Sequence, residues 1–132
     1  MALDPEVRAM AQDKNFATLS TLLPSGYPMT HVMWVDADDD HLLINTEVHR
    51  TKYKNIQRDP RVTVTVIDRE NPYKYTEVRG KVVEEVRGSQ ARDDIDRLSQ
   101  KYNGTDYDPS AIQSERVILK IKPVEKKVKQ PE

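Results

Sequence analysis

The segment Arg61-Val62-Thr63-Val64-Thr65-Val66-Ile67-Asp68 constrains the fold more than any other part of the chain. Val62, Val64 and Val66 alternate with Thr63, Thr65 and Ile67. Successive side chains of a strand point to opposite faces, so this pattern specifies a strand with one buried face. Asp59-Pro60 in front of it ends a short helix from Thr51 to about Arg58, because the residue before proline is pushed out of the helical region. Weaker alternation marks further strands at Phe16 to Leu23, Met29 to Asp36, His41 to Thr46, Tyr75 to Arg87 and Arg116 to Lys122. Gly80 inside the strand from Tyr75 to Arg87 predicts a bulge or a bend at a barrel corner.

The remaining segments read as turns and helices. Pro24-Ser25-Gly26-Tyr27 is a turn. Asp36 to Asp40 is read as a hairpin loop of solvated acids, since a calcium loop requires ligand spacing and a turn glycine that are absent. Asp4-Pro5-Glu6 opens a helix with Val7, Met10 and Ala11 on one face. Gly88-Ser89 opens another that runs to about Tyr102, with Ile95, Leu98 and Tyr102 sharing a face and Asn103-Gly104 closing it. The Lys-rich end, Glu125 to Glu132, reads as a frayed or edge segment. Strands joined mostly by hairpins and interrupted by short helices predict a mainly β antiparallel barrel or sandwich, as one domain over 1–132.

Composition narrows the function classes. The apolar fraction is 36%, below the usual range of about 45–50%. A chain this polar gains further apolar burial by pairing with itself, so a dimer is expected. Lys and Arg number 21 against 22 Asp and Glu. That balance removes the global basic field that draws proteins to nucleic acid. The absence of cysteine excludes disulfides, thiolate metal sites and cysteine nucleophiles. No apolar run approaches the roughly 18 residues of a membrane span, and no basic-then-apolar leader opens the chain, so a cytoplasmic location is expected.

Arg50, Thr51 and Lys52 fall at the N-terminus of the helix predicted from Thr51. Free backbone amides and the helix dipole favour a negative group there, and Thr46 and Thr51 add hydroxyls. From the residues alone two readings stand: a solvated basic turn, the commoner fate of Lys and Arg, or a phosphate cradle. Basic residues favour the opposite helix end, which weighs towards the cradle. Trp34, Tyr73 and Tyr75 similarly serve either packing or stacking on a planar ring. His31, His41 and His49 lack metal-ligand spacing. There is neither a Gly-x-Ser-x-Gly elbow nor a Gly-rich dinucleotide fingerprint.

The order "FATLSTLLPSGYPMTHVMWVD", "LLINTEVHRTKYKNIQRDPRVTVTVID", "NPYKYTEVRGKVVE" resembles the split β-barrel flavin and deazaflavin oxidoreductase superfamily, which includes pyridoxamine 5′-phosphate oxidase. It is most similar to the predicted branch that depends on the deazaflavin coenzyme F420. The resemblance spans about Phe16 to Ile121. It implies an antiparallel split β-barrel, a homodimer with the cofactor in a groove at the subunit interface, and F420 as cofactor, with FMN the alternative. His31, Val32, Met33 and Trp34 would line the ring, with His31 a candidate proton donor. Asn45 and Thr46 would approach the cofactor chain, Arg50, Thr51 and Lys52 would form the phosphate turn, and Tyr75 would come from the second subunit or the far wall. The function implied is hydride transfer between reduced F420 and a small conjugated organic molecule; a non-catalytic flavin or deazaflavin carrier is the other reading. The chain departs from the oxidase proper in two places. Arg50-Thr51-Lys52-Tyr53 replaces its Ser-Arg-Lys-Gly type turn, and residues 115–132 lack its substrate-binding C-terminal segment, so pyridoxamine phosphate oxidation is not expected.

Overall fold

The computed structural model describes residues 2–124 and 128–129. Eight strands and three helices follow the order α1 (Pro5–Gln12), β1 (Phe16–Leu22), β2 (Pro28–Met33), β3 (Asp36–Ala37), β4 (Leu42–Glu47), α2 (Thr51–Arg58), β5 (Arg61–Ile67), β6 (Tyr75–Val86), α3 (Ser89–Asn103), β7 (Arg116–Pro123) and β8 (Val128–Lys129), with a 3-10 turn at Pro109–Ala111. All pairings are antiparallel, in the order β2-β1-β5-β6-β7-β4-β3, and β8 pairs with β6. The expectation for the C-terminal end at 125–127 and 130–132 lies outside the described residues.

One connection shows that this sheet curls. β2 and β3 end the strand order at opposite sides, yet only Trp34 and Val35 separate them in sequence. Three peptide steps reach about 11 Å at most, so the two edges of the sheet must approach one another. The sheet is a barrel, split where the chain crosses from one edge to the other.

The inner face follows the alternation. Val62, Val64 and Val66 are buried in β5, as are Ala17 and Leu19 in β1 and Leu42 and Ile44 in β4. Full burial of such a side chain stabilises the fold by about 1.5–3 kcal/mol each. Leu3 and the Val7, Met10 and Ala11 face of α1 close one end of this core. Asp4 caps α1, its carboxylate accepting the amides of Glu6 at 2.9 Å and Val7 at 3.3 Å. Pro60 and Asp59 end α2 before β5 as the sequence requires.

Three expectations need correction. The strand from Met29 does not reach Asp36; it stops at Met33. Val35 is taken instead by α3: the Tyr102 hydroxyl accepts the Val35 N–H at 3.2 Å, and Lys101 Nζ donates to Val35 O at 2.6 Å. These side chains satisfy backbone groups that a neighbouring strand would otherwise pair. Asp36 is also not a solvated loop acid. It is buried in β3 and paired with Arg97 at 2.7 Å. Gly80, lastly, is not the bulge, which lies between Val82 and Glu84 where β6 meets β7. A Cβ at Gly80 would stand 2.4 Å from Lys122 O, so glycine is needed for the close approach of β7.

Candidate functional site

A cavity of about 310 Å³ lies at the split. β4 has β3 beside it only at Leu42 and Leu43, so Asn45 to Glu47 form a free edge on that side. Val32, Met33 and Trp34 approach from β2 and its end, Asn45 and Thr46 from β4, and Arg50 and Lys52 from the start of α2. Ile95 and Leu98 of α3, with Phe16, Tyr107 and Arg116, complete the lining.

The wall divides into an aromatic and apolar part and a cationic part. Trp34 stacks on Tyr102 at 5.1 Å between centroids and 5° between planes, and Tyr107 meets its edge at 6.1 Å. The Tyr102 ring also contacts Phe16 at 5.4 Å. α3 supplies this support because its buried face, Ile95, Leu98 and Tyr102, repeats at helical spacing. Of the two readings left open for Trp34, packing holds for its contact with Tyr102, while the residue still borders the cavity.

The cationic part comprises Arg50, Lys52 and Arg116. Arg50 is the N-cap of α2, with extended backbone and no side-chain cap. Among the described residues neither Arg50 nor Lys52 enters an ion pair. Burial, then the charges of Arg50 and Arg116, pull the Lys52 ammonium below the ordinary lysine value. A half-buried lysine facing two guanidiniums is a poor arrangement unless an anion joins it.

Arg116 is the one cation with a built-in partner. It faces Glu47 across the β4–β7 ladder, and its Nη1 donates to Glu47 Oε2 at 3.1 Å. Glu47 Oε1 accepts the amides of Gln113 and Ser114, each at 2.7 Å. Burial alone would raise the Glu47 pKa; the Ser114 and Gln113 amides, with Arg116 and His49, outweigh it and hold the carboxyl below the usual range. Arg116 Nε donates to Asn45 Oδ1 at 2.8 Å. Asn45 Nδ2 donates to Ala91 O and Asp94 Oδ2, both at 3.0 Å. The Asn45 amide is thus committed to protein partners, although the residue borders the cavity.

Seven of the ten residues expected from sequence meet here: Val32, Met33, Trp34, Asn45, Thr46, Arg50 and Lys52. His31, Thr51 and Tyr75 do not. His31 is exposed and is not among the residues that line the cavity, although Met33, which shares its face of β2, is. Within one chain His31 is therefore not placed to give a proton in this cavity. Tyr75 lies two strands from Phe16 on the same face, through the register Phe16↔Ile67↔Tyr75. Sequence reasoning missed Phe16, Ile95, Leu98, Tyr107 and Arg116. A signal existed only for Arg116, a buried-strand position opposite Glu47, and reading it required the β4–β7 register.

A sequence model described as "Pyridoxamine 5′-phosphate oxidase" matches residues 3–129, nearly the whole chain. The chain belongs to the pyridoxamine 5′-phosphate oxidase family. Solved structures agree with this membership. An F420 reductase matches at 31% identity and TM-score 0.76, over 93% of this chain and 97% of that one. A conserved hypothetical protein from Mycobacterium tuberculosis matches at 22% identity and TM-score 0.71, over 96% and 84%. The heme storage protein of Vibrio cholerae matches at 15% identity and TM-score 0.65, over 98% and 96%, which shows a shared fold alone. A comparison with curated proteins gives no match. Among the described residues no helix is long and apolar enough to cross a membrane. The same fold thus occurs in proteins of different stated ligands, and the lining of this chain's own cavity must carry any choice among them.

Proposed function

We propose that this family member is an F420-dependent oxidoreductase, transferring a hydride between reduced F420 and a small conjugated organic molecule. The observation that carries the reading is the grouping of Arg50 and Lys52, unpaired among the described residues, at the N-terminus of α2 beside an aromatic and apolar wall. A planar ring bearing a phosphate has matching halves. The 31% identity to an F420 reductase over nearly the full length of both chains favours the deazaflavin over FMN.

The residues present fit that group. Arg50 and Lys52 supply charge, and the first amides of α2 supply donors, for a phosphate. Val32, Trp34, Ile95 and Leu98 flank the remaining space. When bound, the deazaflavin supplies the hydride chemistry; the protein supplies position and electrostatics. A cavity of about 310 Å³ is at the low end of ligand sites, which run about 300–1,000 Å³. We infer that a second copy completes it, as a homodimer with the cofactor between subunits. Tyr75 lies outside the cavity of its own chain, on the face that also carries Phe16 and Val32. Phe16 is 44% and Val32 71% exposed, large apolar side chains that a partner would cover.

Trp34 is the single tryptophan and borders the cavity, so its fluorescence reports occupancy. Titration with F420 and with FMN should quench it, F420 at the lower concentration. Tighter binding of FMN would overturn the choice of cofactor. Full F420 affinity without turnover of quinones, enones or nitroaromatics would make the protein a carrier rather than an enzyme.

A further inference from the structure

We propose that Arg116 is a third anion-holding residue of this cavity, its guanidinium aimed by Asn45 and Glu47, so that the site selects phosphate-bearing ligands with three cations. This rests on the phosphate reading above. Arg116 is 8% exposed, yet it lines the cavity. Its Nε is held by Asn45 and its Nη1 by Glu47. The Tyr107 ring lies 5.3 Å from the guanidinium carbon. The Tyr107 side chain also hydrogen-bonds the guanidinium, so Asn45, Glu47 and Tyr107 fix its plane where it borders the cavity.

Glu47 and Asn45 are themselves fixed. Glu47 is tied to the amides of Gln113 and Ser114. Asn45 is tied to Ala91 and Asp94 on α3. Asp94 also accepts from Arg97, which reaches Asp36 at 2.7 Å. A polar chain therefore runs from Asp36 at the split to Glu47 at the far end of β4, and Arg116 is its one member that borders the cavity as a cation. Glu47 cancels only one of three charges there, so Arg50, Lys52 and Arg116 together retain an excess that an anion would relieve. A planar guanidinium held by these partners offers its remaining N–H groups in a fixed direction, which a lysine in the same place would not.

The test measures dissociation constants of full-length protein for F420 and for its phosphate-free deazaflavin riboside. Arg116→Gln should weaken F420 by about tenfold to a hundredfold and the riboside by less than about twofold. Arg116→Lys, which keeps the charge without the fork, should fall between wild type and Arg116→Gln. Equal losses for both ligands would reveal a structural role and overturn the inference, as would unchanged F420 affinity. Should Arg116→Gln fail to fold, Arg116→Lys is read by the same comparison. Wild-type protein that binds neither ligand would overturn the cofactor reading and this inference with it. Wild-type binding with an indifferent Arg116 would overturn the inference alone.

Discussion

The hydroxyl of Tyr102 accepts the N–H of Val35 at 3.2 Å, across 67 residues of sequence, and donates to Asn15 O. This contact fixes the place where the chain leaves one edge of the barrel for the other. The same ring stacks on Trp34, so one side chain determines both the path of the split and the orientation of the cavity's aromatic wall. Tyr102→Phe keeps the ring and removes only the hydroxyl. It leaves the buried Val35 N–H and Asn15 O without this partner, at a cost of about 1–3 kcal/mol. Urea denaturation of the two proteins should show that loss. A midpoint unchanged within error would mean that water replaces the hydroxyl.

Arg50 and Lys52 are each expected to donate a charge-assisted hydrogen bond to a phosphate. Arg50→Ala or Lys52→Ala should therefore weaken F420 binding by about 1.5–3 kcal/mol while leaving thermal stability close to wild type. Calorimetric or fluorescence titration measures the first and a melting curve the second. Unchanged affinity in both variants would remove the phosphate from this end of the cavity.

Particular residues show how much of this was legible beforehand. The helix from Thr51 to Arg58 and the strand from Arg61 follow from local signals, namely Asp59-Pro60 and strict alternation, and both occur as read. The end of β2 does not follow from local signals. Met33-Trp34-Val35 has strand-forming residues, and what stops the strand is a tyrosine and a lysine far along the chain. Asp36 likewise seemed one of a run of solvated acids because its partner, Arg97, lies on α3. The candidate site divides in the same way. Its basic turn could be read from helix-terminus physics, whereas Arg116 emerges only when β4 and β7 are aligned.

Gly80 provides a test of packing independent of any ligand. Its φ is not positive, so conformational freedom is not the reason for glycine. The reason is space: an added Cβ would meet Lys122 O at 2.4 Å and the Ile121 Cγ2 at 3.1 Å. A backbone carbonyl within a ladder cannot rotate away, so Gly80→Ala must displace β7 from β6. The expected cost is about 1–3 kcal/mol, seen as a lower urea midpoint with cooperative unfolding retained. Wild-type stability would show that β7 moves without loss.

If Lys52 holds the anion as proposed, ligand binding should carry a definite pH dependence. Burial and the neighbouring cations lower its pKa in the free protein. A bound phosphate would favour the ammonium and raise it again. Binding then takes up a proton between the two values, so affinity is full below the lowered free-protein pKa and declines as pH rises through it. The decline should begin below pH 10.5, the ordinary lysine value, and Lys52→Arg should shift it upward because a guanidinium keeps its charge. F420 titrations at a series of pH values from 7 to about 10 test this on wild type and variant together. Parallel curves for the two proteins would show that the Lys52 ammonium does not touch the anion.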